Sequence, residues 1–128
     1  MSSTQTTTVS DQLPSTVPKL ESSGVNWAIF SYRFEVAVQA KNYWKQFDGT
    51  TPRPQQGYPI TTAEQTALDA WEKDERIAKS LLTQKIPDST VLLVKSCTTV
   101  HKMWETIKKE YTIKGAYAQT DLRTKFLE

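Results

Sequence analysis

The chain has 128 residues, enough for one domain, and 38% of them are apolar, enough for one modest core. A net charge of +2 is too small to mark a nucleic-acid-binding face by itself. A single cysteine, Cys97, excludes an internal disulfide framework and suits a reducing compartment, and no apolar run or leader-like start suggests a membrane, so a soluble cytoplasmic protein is expected.

Residues 1–18 are rich in Ser, Thr and Gln, with Val9, Leu13 and Val17 as their only branched aliphatics. So little apolar surface does not offset the entropy of ordering a chain, so this stretch reads as a disordered arm ahead of a domain at 19–128. Lys19, Leu20 and Glu21 form an extended lead-in, broken at Ser22-Ser23-Gly24. The first helix is expected from Asn26, as its cap, to Lys41. At 100° per residue, Trp27, Phe30, Phe34, Ala37 and Val38 share one stripe, while Ile29, Val36 and Ala40 lie roughly opposite with Tyr32 beside them. Two apolar faces mean either a helix sandwiched between neighbours or one with a face left for a partner.

Tyr43, Trp44 and Phe47 form a short helical turn ending at Asp48-Gly49. Pro52, Pro54 and Pro59 make residues 50–60 a loop, since proline lacks the donor and disfavours helix in the residue before it. A second long helix opens at Thr61-Thr62, where either threonine can form a capping box, with Glu64 or Gln65, and runs to about Lys85. Ala67, Leu68, Trp71, Ala78 and Leu82 form its main stripe, and Ala70, Ile77 and Leu81 a second one. Asp69–Lys73, Glu72–Arg76 and Glu75–Lys79 are acid-first i,i+4 pairs, each worth a few tenths of a kcal/mol. After Ile86-Pro87, Asp88 is expected to cap a short helix over 89–97; Val91 to Val94 have strand-like composition, but the helical context decides. Thr98 or Thr99 then caps a helix whose stripe is Val100, Met103, Trp104, Ile107 and Tyr111, with Glu105–Lys109 as a further pair. Gly115 is expected to stop that helix, and Ala116 to Glu128 to start another, cut in mid-element, with Leu122 and Phe126 inward.

The pattern is an all-α domain, a small bundle of about five helices, whose fold residues are Trp27, Phe30, Phe34, Trp44, Trp71, Leu82, Trp104, Ile107 and Tyr111. Four other chemistries find less support in the residues. Cys97 and His101 are four apart, but zinc needs three or four ligands and the chain has no other Cys or His. The tryptophans lie in apolar stripes without interleaved basic residues, which favours packing over stacking on RNA bases. Glu105 and Glu110 interrupt the lysines at 102, 108, 109 and 114, which suits a solvated face better than a phosphate-binding edge. Asp69, Glu72, Asp74 and Glu75 have basic neighbours and no nucleophile in an evident cleft, so no enzyme, cofactor, metal or small-molecule substrate is indicated. The second faces, Ile29, Val36 and Ala40 on one helix and Ala70, Ile77 and Leu81 on the other, are candidate assembly surfaces.

The order of these elements resembles the opening of a copia-type LTR-retrotransposon Gag polyprotein. Asn26-Trp27, Phe30, Phe34 and Val38 match its first helix, Trp44 and Asp48-Gly49 the turn before a proline-rich loop, and Trp71, Asp74 and Ala78 the next helix. Val100, Trp104, Ile107 and Tyr111 match its last helix, with Leu122 continuing the pattern. The family's first tryptophan is Phe30 here and its tyrosine after asparagine is Trp27. The sequence contains no Cys-x-x-Cys-His-Cys knuckle, no Asp-Thr-Gly or Asp-Ser-Gly protease triplet and no second lobe. The resemblance implies a fold like the N-terminal domain of a capsid. It also implies a role in homotypic assembly of a particle that packages element RNA, with RNA contacts made through other regions. A non-polymerising helical adaptor and a weakly basic nucleic-acid-binding domain are the alternatives.

Overall fold

The structure is a computed structural model that describes the backbone of residues 12–127 and the side chains of residues 12–118. Five helices and no strands occur among the described residues: α1 (Trp27–Ala40), α2 (Trp44–Phe47), α3 (Thr62–Thr83), α4 (Asp88–Val94) and α5 (Val100–Leu127). α5 packs against all four of the others. Its apolar stripe is the reason: Val100, Met103, Trp104, Ile107 and Tyr111 are all buried.

Trp104 stands at the centre of an aromatic cluster. Its ring lies 5.1 Å from Phe34, 5.7 Å from both Trp27 and Trp44, and 6.1 Å from Phe47. Phe34 meets it stacked and Phe47 edge-on, both arrangements that the ring quadrupoles favour. Around this cluster the aliphatics Val38, Leu81, Leu82, Ile86 and Val94 are fully or nearly fully buried.

A polar clasp runs through the core. Glu75, in the middle of α3, is only 6% exposed. One of its carboxyl oxygens accepts from Gln46 Nε2 of α2 at 2.9 Å, and the other accepts from the backbone N–H of Val100 at 2.6 Å. Val100 is the first residue of α5, where N–H groups have no partner within the helix and the dipole favours a negative group. Thr99 Oγ1 caps the same helix by accepting from Lys102 N. The sequence reading placed Glu75 in a surface pair with Lys79; burial against a helix N-terminus wins because it satisfies an otherwise orphaned donor. The other expected pairs are also redirected: Glu72 binds Arg53 at 2.9 Å, Asp69 accepts from Gln65, and Glu105 pairs with Lys108.

Several boundaries differ from expectation. Gly115 does not end α5, which continues unbroken to Leu127. The glycine serves packing instead: a Cβ there would lie 3.3 Å from the carbonyl oxygen of Gly24 and 3.6 Å from Trp27 Cβ. Gly24, at φ +81°, turns the chain into α1 against this spot, where its own Cβ would sit 2.9 Å from Lys114 Cβ. Asp88 is the first residue of α4 rather than its cap; Pro87 precedes the helix, and its carbonyl accepts from Thr90 and Val91. α4 ends at Val94, short of Cys97, and α3 at Thr83, short of Lys85, whose carbonyl accepts from Leu20 N. Asn26 occupies the cap position of α1, but its amide joins Glu21 N and Lys19 O, so it ties down the lead-in. The side chains of Leu122 and Phe126 lie outside the described residues.

Part of the stretch expected as an arm, residues 12–18, packs on the domain. Val17 is buried in the core, Leu13 packs against it, and Leu13 N donates to Gln84 Oε1 at 3.0 Å. A few well-placed aliphatics over the end of α3 suffice where composition averaged over eighteen residues suggested none. Residues 1–11 lie outside the described residues.

Trp71 belongs to a separate contact. Its ring is buried, not in the aromatic cluster but under the proline-rich loop, where Nε1 donates to Thr51 O at 2.7 Å and Arg53 lies 5.9 Å over the ring. At the loop's far end the capping box closes in the Thr61–Glu64 register. The Glu64 carboxyl is held below its ordinary 4.5, first by the Thr61 backbone N–H and further by that of Gly57.

Trp104→Ala is expected to lose about 3–5 kcal/mol, most of the stability of a domain this size. Glu75→Ala leaves the Val100 N–H and the Gln46 amide without their partner and is expected to cost about 3 kcal/mol. Urea titrations followed by circular dichroism measure both. A Glu75→Ala midpoint equal to wild type would mean that the clasp contributes nothing.

Candidate assembly surface

The two candidate faces have different fates. On α3, Leu81 is fully buried, Ile77 is partly buried against the core and Ala70 is exposed, so these three residues form no shared outer face. Leu81 is thereby removed from the accessible candidates: α3 turns that side under the bundle. On α1, Ile29 and Val36 are 43% and 46% exposed, and Ala40 is exposed with them. Tyr32, 67% exposed, completes the face. The buried stripe of α1, with Phe30, Phe34, Ala37 and Val38, is spent on the core, which leaves the opposite side uncovered among the described residues.

A groove of about 450 Å³ runs along this face, between α1 and the segment at residues 14–16. Pro14 and Thr16 wall one side, and Tyr32, Val36, Ala37 and Ala40 line the other and the floor. The segment is held in place by a turn in which Val17 N donates to Pro14 O, and by Arg33 Nη1, which donates to Thr16 O at 3.1 Å. Sequence reasoning missed this wall because it read Pro14 to Val17 as part of the arm. The spacing of Leu13, Val17 and Leu20 was the available signal.

The fold residues are distributed as follows. Phe30, Phe34, Leu82, Trp104, Ile107 and Tyr111 are buried in the core, with Trp27 and Trp44 partly buried against it, and Trp71 lies under the loop. Tyr111 adds a buried hydrogen bond at 2.6 Å between its hydroxyl and that of Thr90, which holds α4 on α5.

The other chemistries find little geometry. Among the described residues, no three His, Cys, Asp or Glu side chains gather as a metal group. Cys97 lies beyond the end of α4 and outside α5, so it shares no helix face with His101, whose Nδ1 is 2.7 Å from Phe47 O. Lys108 pairs with Glu105 at 3.2 Å. Lys114 pairs with Glu110 at 3.3 Å, donates to Ser22 O and lies over the Tyr111 ring. Lysines tied to neighbouring acids on their own helix make a poor phosphate-binding edge. None of the described helices is long and apolar enough to cross a membrane.

Charge on the exposed face of α1 should therefore be tolerated by the fold, unlike charge on α3. Val36→Asp is expected to shift stability by no more than about 0.5 kcal/mol, and Ile77→Asp to lose about 3 kcal/mol by burying a carboxyl against the core. Thermal unfolding of the two variants checks this; equal losses would place Val36 in the core.

The family model for the gag-polypeptide of LTR copia-type matches residues 34–128. No curated protein and no solved structure matches the chain. The matched span starts inside α1, takes in α2 to α5 and covers well over half of the sequence, so the chain belongs to the gag-polypeptide family of copia-type LTR retrotransposons.

Proposed function

We propose that this chain is a self-assembling structural unit of a Gag-type particle, making homotypic contacts through an exposed helix face. The observation that carries the reading is the outer side of α1, where Ile29, Tyr32 and Val36 stay exposed on a helix whose other side is fully used. Contiguous apolar surface of this kind marks an interaction site more often than an idle one. In this reading element RNA is engaged by other regions of the polyprotein, since Lys108 and Lys114 of α5 are paired with acids of their own helix and the net charge is only +2. A cytoplasmic setting accords with the free thiol of Cys97.

The role is structural rather than catalytic. A shell needs a rigid unit that repeats, and the aromatic core and the Glu75 clasp supply one. Analytical ultracentrifugation from micromolar to near-millimolar protein is expected to show the average mass rising with concentration. A strict monomer throughout would remove the assembly reading and leave a helical adaptor that uses the same face for a different protein.

A further inference from the structure

We infer that residues 12–20 form an exchangeable strap: in the assembled protein the strap of one copy leaves its own body and docks on the same seat of a second copy, whose strap returns the exchange. The inference deepens the self-assembly reading, rests on it, and names a contact separate from the α1 face. The occupant of the seat is the strap itself. Val17 and Leu20 are 1% and 2% exposed, and Leu13 packs against the same core. Leu20 N donates to Lys85 O at 2.7 Å, Leu13 N to Gln84 Oε1 at 3.0 Å, and Arg33 Nη1 to Thr16 O at 3.1 Å. These bonds join the strap to α1 and to the residues that follow α3. The strap belongs to no helix, so it sits on the bundle as a docked peptide would, and Pro14 and Pro18 limit the freedom it loses on docking.

A tight turn keeps the strap on its own body. Gly24 N donates to Glu21 O and Trp27 N to Gly24 O, while the Asn26 side chain holds Glu21 N and Lys19 O. Gly24 takes φ +81°, and a Cβ there would lie 2.9 Å from Lys114 Cβ, so the turn closes without strain only on glycine. Opened, residues 21–26 span up to about 20 Å, which lets the strap cross to a body lying alongside. A two-fold exchange remakes every contact between strap and body in the partner's seat. It therefore demands no new apolar area, and its cost is the opened turn and the joining of two copies. Copies gathered in a shell raise the effective concentration of seats and tip that balance toward exchange.

Leu13→Cys combined with Gln84→Cys, in a Cys97→Ser background, tests the exchange. Oxidised at low micromolar protein, the thiol pair closes within one chain and fixes the strap on its own body. This locked monomer is expected to need at least tenfold more protein to self-associate than the same variant kept reduced. Oxidised after incubation at near-millimolar protein, the pair should instead join two chains and give covalent dimers on a non-reducing gel. Gly24→Val strains the closed turn but not an extended hinge, so it should lower the concentration at which dimers form at least tenfold. A locked monomer that associates as readily as its reduced form would overturn the exchange and leave the assembly reading standing. Gly24→Val protein with a lower urea midpoint and no gain in dimer would overturn it too. A wild-type chain that stays monomeric removes both readings together.

Discussion

The carboxyl group of Glu75 reaches from the middle of α3 to the first N–H of α5 through one oxygen and to the Gln46 amide of α2 through the other. Apolar burial supplies most of the driving force for a fold of this kind, but it is non-directional and tolerates small slips of one helix along another. A buried hydrogen-bonding group does not. Displacing α3 by one residue would leave a carboxyl, an amide and a helix N-terminus unpaired away from water, each at a cost of about 1–3 kcal/mol. The clasp therefore fixes register, while the rings around Trp104 provide cohesion. Gln46 Oε1 is buried without a hydrogen-bond partner among the described residues, so the Gln46 amide, unlike the Glu75 carboxyl, is satisfied on its donor side only.

Once α3 and α5 are in register, the remaining placements follow from shape. Trp104 offers ring faces and edges to Trp27, Phe34, Trp44 and Phe47, which sets α1 and α2 on one side of α5. Gly24 and Gly115 let the turn before α1 press onto the backbone of α5, and the Thr90–Tyr111 hydrogen bond seats α4. Val17 and Leu20 then close the bundle beside the end of α3, where Lys85 and Gln84 receive the backbone N–H groups of Leu20 and Leu13. The outer side of α1 is what remains. Leu92 and Leu93 of α4 and Ile113 and Tyr117 of α5 are exposed as well, and a unit locked from within can present such faces with little reorganisation on binding.

Much of this was legible in the sequence. Helical periodicity located the long helices, the helical context placed α4, the Thr61 capping box and the threonine cap before α5 were read from local chemistry, and Trp104 was recognised as a packing residue. The larger misreadings share a physical cause: they concern residues whose role is set by something distant in the chain. Glu75 obeys the i,i+4 rule on paper, yet α5 brings an orphaned N–H within 2.6 Å of it. Gly115 is a plausible helix stop until Gly24, ninety-one residues earlier, is found pressed against it. Leu81 and Ile29 occupy second stripes of equal promise, and only the bundle decides that the first is core and the second surface. The groove was invisible because one of its walls comes from residues whose composition suggests no structure.

The position of Trp71 separates two optical signals that would otherwise coincide. Trp27, Trp44 and Trp104 sit within a shared set of ring contacts, with Trp104 5.7 Å from each of the other two. Their surroundings are those of the core. Trp71 belongs to none of these contacts, and its indole N–H is held by a carbonyl of the proline-rich loop. Loosening of that loop would shift the emission of one tryptophan and leave the other three unchanged. The protein thus carries an intrinsic fluorophore for its proline-rich loop, distinct from those of its core.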